Sequence, residues 1–449
     1  MAVRGDAPSY LQEYIFKQGE PDIEVEMGEE QRALEEAFAD LTEYVEELVQ
    51  EARDGAKSQK QQKARIRDAL SQVRDRLLGI RTILIVVDDE DDAYIVFETL
   101  NTRGKELTVS DLVKNHLMRL LQQQNKNVDP AREKWNQVLE QFERSRARMN
   151  VNTFIHHAWL SRYDYVPEKR LFKLIKKRIT KQRASGYLNT LKRESRLYRE
   201  INEPGIRQWA RDERGIKDSL EALSLFGIRQ PMPLLLSLYR AYMDGKITRK
   251  QLERTLWAVE AFHFSFNVIA GRSSSGGMSL FYARLARELL SASTSQRRAN
   301  VVVEVRDKLR ERRPTRDEFT EGFVELKASD AFTHDRRTVQ YVLRRHYAHN
   351  SRNDLADVSL ATIEHLEPQS GSRLDDDVVA SIGNLILVNE TLNDKLANKP
   401  FAKKQELLGR QRQLWIPQDV IDAKQWGKRA IAQRATRLAH DAYDRIWSF

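Results

Sequence analysis

Between residues 364 and 404 the chain reads EHLEPQS, then IGNLILVNETLNDKLANKPFAKK. Here the side chains best suited to chemistry lie close together. His365 stands beside a carboxylate, Glu364, and Pro368 closes a turn. Two asparagines, Asn384 and Asn393, follow nine positions apart. An imidazole can deprotonate water, while carboxylate and amide oxygens suit a hard divalent cation that takes up charge on phosphate. That inventory fits the cutting of a phosphodiester, and few other chemistries need it.

These residues require elements to hold them. Thr362–Leu366 (TIEHL) is expected as a short strand ended by Pro368, and Leu385–Val388 (LILV) as a second. Asn389 can cap a helix running from Glu390 toward Asn398. Two strands followed by a helix, with His on the first strand and Asn on the helix, is the layout of a ββα-metal (His-Me finger, HNH) nuclease site. In such a site His365 takes the proton from water, and Glu364 and Asn393 hold one Mg²⁺-like ion. Asn384 braces the imidazole by hydrogen bonding. Adjacent strand residues point to opposite faces. Glu364 and His365 therefore converge only if the strand twists or ends there, as Pro368 allows.

The rest of the chain reads mainly as helix. Leu34, Phe38, Leu41, Val45 and Leu48 recur at helical steps within residues 29–53. Ile66, Leu70, Val73 and Leu77 do so within 57–79. Ile83–Val87 (ILIVV) is expected as a buried strand, followed by an acidic turn, DDEDD. Asn101, Arg103 and Gly104 form a turn before a helix opened by Thr108 and Asp111. QQQNKNVDP, residues 122–130, marks a boundary. From 131 to 330 helices run between breaks at Pro167, Pro204, Pro231 and the connector GRSSSGG (Gly271–Gly277), which lacks the Lys-Ser/Thr of a P-loop. A helix is expected around Val339–Tyr347; His346 and His349, with no third ligand in sight, read as surface histidines.

The chain carries 75 Lys and Arg against 66 Asp and Glu, a net charge of +9, and no cysteine. Disulfides and zinc ribbons are excluded, and no apolar run approaches the roughly 20 residues of a membrane helix. A cytoplasmic location is the default, without membrane association. Basic residues cluster at Lys169–Arg183, Arg297–Arg316 and Arg336–Arg345. Each cluster interleaves apolar residues at helical spacing, so it reads either as a solvated helix face or as phosphate-contacting surface. Arg344 and Arg345 are candidate phosphate contacts.

The chain also resembles the GmrSD-type, modification-dependent (type IV) restriction endonucleases. Their C-terminal His-Me finger carries acid–His–apolar–x–Pro, then Gly-Asn-Leu, then Asn, then Asn-Lys-x-Phe. Glu364, His365, Pro368, Gly383, Asn384, Leu385, Asn393, Asn398 and Phe401 match it. The resemblance implies Glu364 and Asn393 as metal ligands, His365 as base and Asn384 as its support; Lys404 matches a trailing basic position of the family, either a phosphate contact or a solvated lysine. FETLNTRGKELTVSDLVKN is similar to the end of the family's ParB/sulfiredoxin-like NTPase domain, with Asn101, Arg103 and Gly104 as remnants of its nucleotide site. The Asp-Gly-Gln-Gln-Arg motif that normally precedes this segment is absent.

The expected architecture is mainly α (α+β). It comprises a partial NTPase-like domain at 1–125, a helical DNA-contact region at 126–330 and an HNH-like nuclease domain at 331–449. The expected activity is Mg²⁺- or Mn²⁺-dependent cleavage of DNA, including modified DNA, in defence against phage. A second polypeptide would supply the missing NTPase half and with it a nucleoside triphosphate. The competing expectation is a non-catalytic DNA-binding or assembly subunit.

Overall fold

The computed structural model describes residues 3–4, 10–17, 25–26, 28–54, 58–81, 108–121, 130–147, 149–273, 277–351, 361–412 and 414–449. The segments expected as the Ile83–Val87 strand, the DDEDD turn and the Asn101–Gly104 turn lie outside these residues. So does most of the boundary at 122–130. The chain divides into two compact units, Met1–Arg103 and Gly104–Phe449.

In the first unit, β1 (Val3–Arg4) pairs in parallel with β2 (Val25–Glu26). Two long helices, α1 (Glu29–Asp54) and α2 (Gln59–Leu78), pack on each other where the sequence places amphipathic segments. Ser58 caps α2 through the Gln61 amide.

The second unit begins with a helical body. It runs through α3 (Val109–Leu121), α4 (Pro130–Glu143), α5 (Val151–Leu160), α6 (Leu171–Arg178) and α7 (Lys181–Asn202). Then follow α8 (Arg214–Leu225), α9 (Met232–Met243), α10 (Arg249–His263), α11 (Met278–Ser291), α12 (Ser295–Glu311), α13 (Arg316–Val324) and α14 (Arg336–Asn350). One apolar core that includes Trp135, Phe154, Leu235, Phe262 and Tyr282 unites α3 to α12. Buried charge inside it is compensated: Glu194, fully inaccessible, binds Arg162 and, at 2.7 Å, Arg240.

After α14 the chain forms β3 (Thr362–His365), α15 (Asp376–Ala380), β4 (Leu385–Val388), α16 (Glu390–Leu396) and α17 (Phe401–Gly409). It ends with α18 (Gln418–Ile421) and α19 (Lys428–Asp441). β3 and β4 pair antiparallel from Thr362 opposite Val388 to His365 opposite Leu385. All of β4 is buried, so an unbroken apolar run forms this strand rather than an alternating one.

A second core joins this region to the helical body, with Phe264 and Trp447 stacked 4.4 Å apart. A third core, including Tyr347, Leu366, Ile386, Leu392 and Leu408, lies under the two strands and α16–α18. The fold is thus mainly helical, as expected. No helix among the described residues is long and apolar enough to cross a membrane.

Candidate active site

Glu364 and His365 are the last two residues of β3, and the strand stays in register to its end. Neighbouring side chains on a regular strand diverge, and these two find different partners. The Glu364 carboxylate receives the Lys404 ammonium at 2.6 Å. The His365 ring nitrogen Nε2 lies 2.8 Å from the backbone carbonyl of Ala328. Both residues are buried, at 5% and 8% exposure.

The Ala328 bond decides the state of the ring. A carbonyl oxygen only accepts, so Nε2 must carry the proton. Burial pushes the imidazole below its ordinary pKa, outweighing the opposite pull of the carbonyl. A neutral ring protonated on Nε2 leaves Nδ1 with a free lone pair, the requirement of a general base. Among the described residues, the Gln369 side-chain amide is drawn toward Nδ1 at 3.5 Å, at the outer limit of hydrogen bonding. Gln369 is exposed and also accepts from the Asp330 amide at 3.0 Å.

Ala328 is itself fixed. Its amide donates to the Ala380 carbonyl at 2.9 Å, and the Ile382 amide returns a bond to Leu326 at 3.0 Å. The segment before α14 is thereby stitched to the turn that leads into β4, which aims one carbonyl at His365.

Asn384, fully buried, does not brace the imidazole as expected. Its Oδ1 accepts from the Glu367 amide at 2.8 Å and from the Trp426 indole at 3.0 Å. Its Nδ2 donates to the carbonyls of Glu367 and Val379. With every side-chain valence used, Asn384 locks the turn at Glu367–Pro368 that carries the chain away from His365. Trp426 in turn stacks on Phe401 at 4.6 Å.

The adjoining Gly383 is required by close approach. A Cβ there would lie 2.1 Å from the Ile431 carbonyl of α19. The inaccessible Arg434 of α19 donates to the carbonyls of Gly383 and Leu385, at 2.8 and 2.9 Å, bolting the start of β4 in place.

Asn393 sits half-buried on α16, which packs against β3. Among the described residues no group of three or more His, Cys, Asp and Glu side chains gathers as a metal cage. The two donors that the motif assigns to an ion, Glu364 on β3 and Asn393 on α16, are one carboxylate and one amide oxygen. Such a set suits a hard ion that keeps much of its water, the habit of Mg²⁺. Burial pushes the Glu364 carboxyl up, and the Lys404 ammonium offsets this only in part.

Other expected site residues fall elsewhere. Lys404 is 1% exposed, so the trailing basic residue faces inward rather than toward solvent. Arg345 binds the fully buried Glu260 at 2.6 Å and lies over the Trp257 ring, while Arg344 is half-buried beside it on α14. His346 is a core residue, not a surface one: it packs between Phe323 and Trp447, and burial lowers its pKa to about 3. His349 is exposed. Asn101, Arg103 and Gly104 lie outside the described residues.

Residues 313–441 match the family model for the GmrSD restriction endonuclease C-terminal domain, and residues 8–118 match that for the N-terminal domain. The chain belongs to the GmrSD restriction endonuclease family. The C-terminal GmrSD match takes in Ala328, Glu364, His365, Asn384, Asn393, Lys404 and Arg434, and so the whole site described above. The N-terminal GmrSD match means that an N-terminal domain of the family is present on this chain. Membership carries the role of a restriction endonuclease with DNA as substrate. No curated protein matches the chain.

Proposed function

We propose that this GmrSD protein cuts DNA at a ββα-metal (HNH-type) centre in which His365 is the general base. The observation that carries the reading is the Nε2–Ala328 bond, which leaves a buried, neutral imidazole whose unprotonated Nδ1, contacted by the Gln369 amide at the 3.5 Å limit, can take a proton from water. Glu364 and Asn393 are the residues that would hold Mg²⁺ or Mn²⁺. The ion, when bound, supplies positive charge against the scissile phosphate and the leaving oxygen.

Asn384 works at one remove. It fixes the turn after His365 and so keeps the ring at the end of its strand. The exposed basic face of α6 and its flanks, including Lys169, Lys173, Lys177 and Lys181, offers a surface for the DNA backbone.

The test is cleavage of plasmid DNA, unmodified and modified, with Mg²⁺ or Mn²⁺, with and without a nucleoside triphosphate. Metal-dependent cleavage by the wild type, lost in a folded His365→Ala protein, is the expected result. Undiminished cleavage by His365→Ala would sink the assignment of the base. A wild type that binds DNA with a steep salt dependence yet never cuts it would point instead to a DNA-binding assembly subunit.

A further inference from the structure

The contact least expected of a metal ligand is the one that Glu364 makes. Its carboxylate is engaged by a buried ammonium that reaches in from another element, Lys404 of α17. The same Nζ donates at 2.6 Å to the carbonyl of His365. One cation is thus tied to the last two residues of β3, through the side chain of one and the backbone of the other. The pair is almost wholly sealed, with side chains 1% and 7% exposed.

A buried carboxylate without a cation is costly, and a sealed ammonium without an anion equally so. Lys404 therefore answers the charge of Glu364 in the absence of metal. Charge-assisted hydrogen bonds of this kind are among the stronger ones in proteins. A divalent ion seated on the same carboxylate meets that ammonium as a like charge at short range.

Building on the nuclease reading above, we propose that Lys404 is a tethered stand-in for the divalent cation. It holds the Glu364 carboxylate in place from a second element, and it must yield the carboxylate when the ion binds. Lys404 thereby acts as a positioning residue that weakens metal affinity. The neighbouring Lys403 is 63% exposed and pairs with Glu406, so it supplies a matched control for simple loss of positive charge.

The experiment is titration of the full-length protein with Mn²⁺ alone at pH 8, with free ion followed by electron paramagnetic resonance. Wild type, Lys404→Gln, Lys403→Gln and Glu364→Gln are compared. Lys404→Gln is expected to bind Mn²⁺ about tenfold more tightly, a factor equal to about 1.4 kcal/mol. Lys403→Gln should match the wild type, and Glu364→Gln should lose the site. Binding by Lys404→Gln that is no tighter than wild type overturns the stand-in role and leaves the metal-site reading intact. No binding by either protein overturns the metal reading and the inference together.

A second measurement needs no variant and holds even if Lys404→Gln fails to fold. Acetylation of Lys404 in the wild type, followed by mass spectrometry, is expected to speed up severalfold at saturating Mn²⁺. An unchanged rate would overturn the displacement.

Discussion

The imidazole of His365 donates through Nε2 to the carbonyl of Ala328, 37 positions earlier in the chain. This bond fixes the tautomer, and burial fixes the charge state. Together they predict how cleavage responds to acid. The base works only while neutral, and its pKa is pushed below the ordinary 6.5. Cleavage measured as kcat/KM should therefore hold level from pH 8 down through 6.5 and fall only below it. An acid limb centred above pH 7 would mean that the ring is not held as described.

Asn384 gives a separate prediction because its four hydrogen bonds serve the turn and not the ring. Asn384→Ala leaves partners unsatisfied on the buried Val379 and on the half-buried Glu367 and Trp426. At 1–3 kcal/mol for a group left unpaired, the loss should be about 3 kcal/mol in denaturant unfolding. Cleavage should fall in the same variant. Asn384→Ala that cuts poorly but unfolds like the wild type would return Asn384 to a direct role at the chemistry.

How far the sequence reveals this site depends on the length scale of each interaction. Both strands are readable because their apolar, β-branched runs are short and bounded by Pro368 and Asn389. The asparagine cap on α16 is equally local, with the Asn389 side chain accepting from Leu392. Ala328 is not readable, since a backbone carbonyl acts whatever the residue type, and only the pairing of 326–328 with 380–382 aims it.

Lys404 and Asn384 were visible as polar residues beside a motif, but burial reversed their expected directions. Nothing near Lys404 marks it as inward-facing except the spacing of Phe401, Lys404 and Leu408, which puts all three on the buried side of α17. Trp426 and Arg434 escape notice because their partners lie 42 to 51 positions away. In the same way His346 looks like a surface histidine until Phe323 and Trp447 close over it.

That buried histidine makes stability depend on acid. In the folded chain its pKa is about 3, against 6.5 for a free imidazole. As the pH falls below 6.5 the unfolded state takes up this proton and the folded state does not. Stability thus rises with pH across this window, and acid removes it from about 6.5 downward. Thermal unfolding between pH 7 and 5 should show a falling midpoint in the wild type. His346→Phe, which cannot take up the proton, should make that slope shallower, with the buried His157 and His263 still contributing. A variant as acid-sensitive as the wild type would assign the effect to other groups.

The three basic clusters differ in how free their charges are, and that difference predicts which one DNA feels. In the second cluster Arg310 pairs with Asp307, Arg316 with Asp444, and Arg313 stacks on Tyr443 at 3.7 Å. In the third, Arg345 is committed to Glu260. On α6, by contrast, Leu171 and Ile175 are buried while Lys173 and Lys177 face solvent. Each phosphate contact contributes about 0.9 to the slope of log affinity against log salt. Lys173→Ala with Lys177→Ala should weaken DNA binding evenly across sequences and flatten that slope by about 2, with the metal requirement unchanged. An equal loss on removing Arg310 and Arg316, with none at α6, would move the DNA to the opposite cluster.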